Sequence, residues 1–155
     1  MKKYELTEET FTVFGKTLYR IRAVRDFGSV KTGEFGGYIE KEENLSHFGN
    51  AWISGDAWVY GNAWVYGNAW VYGNAEVFNT RHFFVQGPIG SRDGYVTFYR
   101  TKDDTVEVRC GCFSGSLQEF VNQVEETHGG SRYEKEYKLA AELAKVCIRL
   151  EGESR

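Results

Sequence analysis

Between residues 49 and 78 the chain repeats one six-residue phrase: GNAWIS, GDAWVY, GNAWVY, GNAWVY and GNAEVF, led in by a degenerate ENLSHF at 43–48. A fixed period constrains a fold more tightly than composition does. Six is even, so in extended chain the Ala and Val of every hexad point to one side. The Trp between them and the Tyr after them point to the other. Gly-Asn and Gly-Asp break each strand, because these residues tolerate left-handed backbone angles. A short strand, a corner and an inward small-plus-branched pair describe one face of a triangular β-helix. Three hexads, or eighteen residues, would then make one coil, with coils stacked at ~4.8 Å. The inward set is Ala51, Ile53, Ala57, Val59, Ala63, Val65, Ala69, Val71, Ala75 and Val77. A meander of hairpins would leave strands of only four residues, so the β-helix is the expectation, left-handed by its hexapeptide spacing.

Under two full coils cannot stand alone, so both ends need cover. Residues 1–36 read as extended, with two β-rich runs around Gly15-Lys16 forming a hairpin cap. After residue 79 the repeat is lost. YVTFYRTKDDTVEVRCGC reads as two strands around Lys102-Asp103-Asp104. Ser116-x-x-Glu119 and Ser131-x-x-Glu134 read as capping boxes opening two helices, the second running to about Leu150. That second helix is apolar over so wide an arc (Tyr133, Tyr137, Leu139, Ala140, Leu143, Val146, Cys147) that it should be packed on most sides. The expected organisation is a mainly β fold with α: hairpin plus β-helix over 1–78, and a ββαα capping or docking unit over 79–155.

Net charge is −3, which disfavours a direct nucleic-acid binder or a membrane-surface protein, since both need a basic face. No run approaches ~18 apolar residues, and the opening MKKYELTEETFTVFG has no apolar core of a secretion signal. Three cysteines without such a signal suit a reducing, cytoplasmic setting.

KYELTEE, RAVRDFGSVKTGEFGGYIEKEENLSHFGNAWI and the GNAxV hexads after them resemble the enterobacterial YdcK-type β-solenoid proteins. The resemblance covers about the first 78 residues and implies a β-solenoid without an activity to carry over. The blocks GPIGSR, VRCGCFSGSLQEF and HGGSRYEKEY are similar to segments of uncharacterised proteins of Gram-positive bacteria and their phages, which implies a mobile-element origin.

Candidate chemistry is sparse. Hexapeptide spacing also resembles acyltransferases that use a histidine base, but only His47 lies near the repeats, and an edge-of-solenoid structural role suits it better. Cys110 and Cys112 sit two apart with His128 and Cys147 downstream; C-x-C is an unusual zinc spacing, and small packed residues are the plainer reading. VQGPIGSR, ending in Arg92, could cradle an anion through backbone N–H groups, yet it lacks the strand-to-helix setting and lysine of a phosphate loop and reads as a connection. Asp26-Phe27-Gly28 matches a kinase tripeptide with none of the other kinase motifs. No catalytic residue, metal ligand or cofactor is therefore assigned.

The outward aromatics Trp52, Trp58, Tyr60, Trp64, Tyr66, Trp70 and Tyr72 remain. Exposed together they would exceed the roughly 300–600 Å² of apolar patch that monomers usually tolerate. They are the assigned partner-binding residues of a non-enzymatic β-solenoid interaction module, with a host defence nucleoprotein complex as the partner and an anti-CRISPR-like inhibitor as the role. Self-association into a dimer or filament is the first alternative, and an acyltransferase-like or small-ligand-binding protein the second.

Overall fold

In the computed structural model, residues 2–152 are described, and they form two compact units that meet between Thr80 and Arg81. The first unit opens with a hairpin, β1 (Tyr4–Val13) and β2 (Lys16–Ala23), turned by Phe14 and Gly15, both at positive φ. β2 pairs antiparallel with β3 (Phe35–Ile39). Four very short strands follow: β4 (Trp52–Ser54), β5 (Trp58–Val59), β6 (Trp70–Tyr72) and β7 (Glu76–Val77).

The expected triangular, left-handed β-helix is not the fold. The strands lie in separate sheets that do not close on one another: one of five strands in the order β1-β2-β3-β5-β7, and one of two, β4-β6. The hexad at 61–66 contributes no strand at all, only an isolated bridge from Leu45 to Val65. The hairpin does not cap the repeat either; it continues the repeat's own sheet edge to edge, through β3. The YdcK-type resemblance and the hexapeptide-repeat class fall with the β-helix. What the repeat does produce is parallel pairing at an offset of eighteen residues, Trp52 beside Trp70 and Trp58 beside Glu76. The offset is twenty where Tyr38 meets Trp58 and where Leu45 meets Val65, because the segments before residue 49 are not hexads.

Side-chain alternation within the hexads holds despite this. All ten Ala, Val and Ile positions from Ala51 to Val77 are buried. Each Val or Ile hidden this way contributes about 1.5–3 kcal/mol relative to exposure. Polar anchors tie the earlier segments to this core. The Asn44 amide donates to the Ala63 carbonyl (2.8 Å) and accepts from the backbone N–H groups of Glu40 and Lys41. Lys3, fully buried, donates to the Ala51 carbonyl at 2.6 Å and lies 4.7 Å from the centre of the Phe27 ring.

The second unit is an antiparallel four-stranded sheet in the order β11-β10-β9-β8, with two helices. Its strands are β8 (Phe83–Ile89), β9 (Gly94–Arg100), β10 (Val106–Cys110) and β11 (Phe113–Ser116). The ββαα expectation is thus two strands short. VQGPIGSR is mostly the strand β8 and its turn, not a connection, and Phe113–Ser116 forms a strand where the sequence shows only glycine and serine around one ring. The helices are α1 (Leu117–His128) and α2 (Arg132–Cys147). Val96, Phe98, Val108, Phe120, Val124, Ala140, Ala144 and Ile148 make their shared core.

Ser116 caps α1 as predicted: its Oγ accepts from the Glu119 N–H at 3.1 Å, and the Glu119 carboxylate accepts from the Ser116 N–H at 2.8 Å. The second box does not form. The Ser131 hydroxyl instead donates to the His128 carbonyl (2.7 Å), and Glu134 accepts from the N–H of Gly130 (2.9 Å). α2 is also less enclosed than its apolar arc predicts, for Leu139, Leu143 and Val146 are exposed. No described helix is long and apolar enough to cross a membrane.

Candidate functional site

The seven aromatics assigned to a partner surface do not share one. Trp52 is fully buried, edge-on to Phe27, because β4 turns it under the 27–36 segment. Trp58 is half-buried beside Phe11 of the hairpin, with ring centres 5.1 Å apart. Tyr60 is buried, donates to the Glu76 carboxylate at 2.6 Å and stacks on Phe78. Trp70 donates its indole N–H to the Ser54 hydroxyl at 2.6 Å, and Tyr72 is half-buried next to it in β6. Only Trp64 and Tyr66 stay exposed, at 52% and 45%, stacked on each other at 4.6 Å. They belong to the hexad that forms no strand and so is not covered by one.

His47 is committed structurally. Its Nδ1 accepts the Lys3 backbone N–H (3.1 Å), its Nε2 meets Glu42 (2.8 Å), and its ring stacks on Tyr4. A ring with both nitrogens engaged is not placed to act as a base.

The second unit holds a different feature, a cavity of about 590 Å³ between the sheet and the helices. It falls within the range of small-molecule sites, about 300–1,000 Å³. Its apolar wall comes from Ile89, Val96, Phe113, Phe120 and Val124, with Tyr95 and Tyr137 adding rings. Its polar groups include residues that the sequence raised and left unassigned: Arg92 from the anion-loop reading, and Cys110, Cys112 and His128 from the zinc reading. The folding of the unit explains the convergence. Arg92 rides the β8–β9 turn, the two cysteines flank Gly111 (φ +57°) at the β10–β11 turn, and His128 ends α1. Two hairpin turns and one helix end thus open on one side of the sheet. Cys147, by contrast, is not among the lining residues.

The rings are mutually braced. Phe120 meets Tyr137 edge-on at 5.8 Å and Phe113 at 5.7 Å, and His128 lies 5.5 Å from Tyr137. Burial pushes the Tyr137 phenol above its usual pKa, reinforced by Cys110 and Glu136 and opposed by Arg92, so it stays a hydrogen-bond donor at neutral pH. Burial likewise pushes the Cys110 thiol up, and the neighbouring Cys112 adds to it. That is the opposite of the shift that makes a reactive thiolate. Among the described residues no group of three or more His, Cys, Asp or Glu side chains is placed to hold a metal ion.

Sequence reasoning missed this site for a definite reason. Its residues are spread over 89–137 with no common spacing, and Tyr137 read only as part of a helix's apolar arc. The comparisons add no family: no protein-family model matches the chain, and no curated protein matches its sequence.

Proposed function

We propose that the protein is a small-molecule binder, and that the cavity of its second unit is the site. The observation that carries this is the meeting of an apolar, ring-lined wall with polar groups that have no internal use. Arg92 makes no ion pair, and the Tyr137 hydroxyl and the His128 ring no hydrogen bond, among the described residues. Arg92 is exposed and His128 and Tyr137 are half-buried, so each can turn its polar group to a ligand that enters the apolar cavity. Binding rather than turnover is favoured by the raised Cys110 thiol, since burial and the neighbouring Cys112 shift it away from the reactive thiolate. With the β-helix gone, the solenoid interaction module, its inhibitor role, the filament and the acyltransferase lose their structural basis.

The test is a titration with N-phenyl-1-naphthylamine, a neutral dye that fluoresces on leaving water. One dye per chain should bind, and Thr127→Trp, which fills the mouth from an exposed position of α1 without touching the core, should abolish it. Unchanged dye binding in that variant would refute the site.

A second reading concerns a protein partner. Trp64 and Tyr66 are exposed, and Phe48 is 81% exposed on the stretch that hydrogen-bonds alongside them, from Ser46 N–H to the Val65 carbonyl and from Asn50 N–H to the Gly67 carbonyl. Trp and Tyr are the usual anchors of interfaces. Trp64→Ser with Tyr66→Ser should remove any co-purifying protein while the far-ultraviolet circular dichroism stays unchanged; retention of the partner would sink this reading.

A further inference from the structure

We infer that the ligand of this cavity is an aromatic anion, with its charge at Arg92 and the Tyr137 hydroxyl and its ring against Phe113 and Phe120. The inference rests on the cavity being a ligand site and goes on to the chemistry of the ligand. Charge comes first. Among the described residues lining the cavity, Arg92 carries the one permanent charge, and there is no carboxylate. Arg92 is exposed on its turn and makes no ion pair among the described residues, which leaves its guanidinium available to a ligand at the mouth of the cavity. An anion is met by a planar fork of N–H donors suited to carboxylate, sulfonate or phosphate.

Position comes second. Arg92 lies on a turn, and turns move, but this one is fastened. The Gly90 N–H donates to the Glu136 carboxylate at 2.7 Å, joining the β8–β9 turn to α2 one residue before Tyr137. The same contact keeps Glu136 occupied at Gly90, and it does not line the cavity. Gly90, at φ +80°, leaves no room for a Cβ because the Tyr137 hydroxyl occupies that place. Tyr137 Oη is therefore held against the turn that carries Arg92, and the guanidinium charge is near enough to oppose the rise of the phenol's pKa. A fixed neutral donor beside a cation on a fastened turn is a preorganised anion seat. The ring requirement follows from the wall: Phe113, Phe120, Tyr137 and His128 form a chain of ring contacts with centres 5.5–5.8 Å apart. Such a wall favours a flat aromatic body through offset and edge contacts.

The experiment pairs two dyes of nearly the same body, anionic 8-anilinonaphthalene-1-sulfonate and neutral N-phenyl-1-naphthylamine, titrated into the full chain. Wild type should bind the anion more tightly than the neutral dye, one per chain. Arg92→Met should weaken the anion by about tenfold and leave the neutral dye within about twofold. Tyr137→Phe should weaken the anion by a smaller factor in the same sense, and Gly90→Ala should act like Tyr137→Phe because it displaces the ring. Equal affinity for both dyes, with Arg92→Met changing neither, would overturn the anion while sparing the ligand site. If neither dye binds, or both bind the Thr127→Trp variant undiminished, the site itself fails and the inference with it.

Discussion

The two units solve opposite problems. In the first, nearly identical hexads bury an Ala–Val pair at each repeat, and the outward aromatics are largely consumed as packing. In the second, no segment repeats, yet two turns and a helix end converge on a cavity with unemployed polar groups. Regularity in sequence marks where the backbone is specified, and it says little about where chemistry sits. The first unit tells how such a chain holds itself together; the second tells what it could hold.

The contrast is sharpest where the first unit's core is forced to accept charge. Val71→Asp puts a carboxylate into fully buried space and should cost roughly 4 kcal/mol or more by denaturant unfolding. Leu139→Asp, on the exposed stripe of α2, should change stability by under about 0.5 kcal/mol. Comparable losses at both sites would mean that the α2 stripe is covered in solution.

The glycines of the repeat provide a finer comparison within one unit. Gly49 and Gly67 occupy the same hexad position at nearly the same φ, +72° and +69°. A Cβ at Gly49 would lie 2.8 Å from the Gly67 carbonyl oxygen, whereas one at Gly67 meets nothing within 4 Å. Gly67→Ala should therefore cost only the left-handed strain, about 1–2 kcal/mol, and Gly49→Ala clearly more in the same unfolding assay. Equal costs would show that the eighteen-residue pairing is absent. In the second unit, Ser116→Ala should lose about 1 kcal/mol of stability, and Ser131→Ala less, since only Ser116 caps its helix through the side chain.

The last comparison is electrostatic. Burial, with Arg25 nearby, lowers the Lys3 pKa from 10.5 to about 8. A lysine that binds its proton less tightly when folded makes the unfolded state the better proton binder between those values. This group's contribution to stability thus rises as pH climbs from about 8 toward 10. Above pH 10 it is opposed by Tyr4, whose raised pKa favours the folded state only while the unfolded phenol stays protonated. The melting temperature of wild type should gain relative to Lys3→Met between pH 8 and 10. A constant difference across that range would contradict the assignment.

Much of the first unit's local order was legible because period and alternation are properties of the chain itself. The burial of Ala51 through Val77 follows from them; the hairpin expected around Gly15-Lys16 turns one residue earlier, at Phe14-Gly15, with Lys16 already in β2. The arrangement of sheets was not. The residues that join the hairpin to the repeat, Gly36-Gly37-Tyr38-Ile39, carry the small-aromatic-branched order of a hexad at a twenty-residue offset, and so escape a search at period six. Gly37 takes the Ala position because a Cβ there would strike the Ala57 carbonyl at 2.6 Å. In the second unit the first capping box was legible and the second was not, because the Ser131 hydroxyl is drawn back to His128 by the Gly129-Gly130 turn. The candidate site was legible only as loose parts. Cys110, Cys112 and His128 stood out as one zinc candidate and Arg92 as a separate anion candidate; the antiparallel register of β8 to β11 and the end of α1 bring them to one cavity.

The most direct test of which unit binds is an amide-resolved NMR titration of the full chain with 8-anilinonaphthalene-1-sulfonate. The account predicts saturable shifts at Arg92, Gly111, Cys112, His128 and Tyr137, with the hexads around Trp64 and Tyr66 unmoved. Shifts confined to those hexads, with the cavity residues silent, would contradict it.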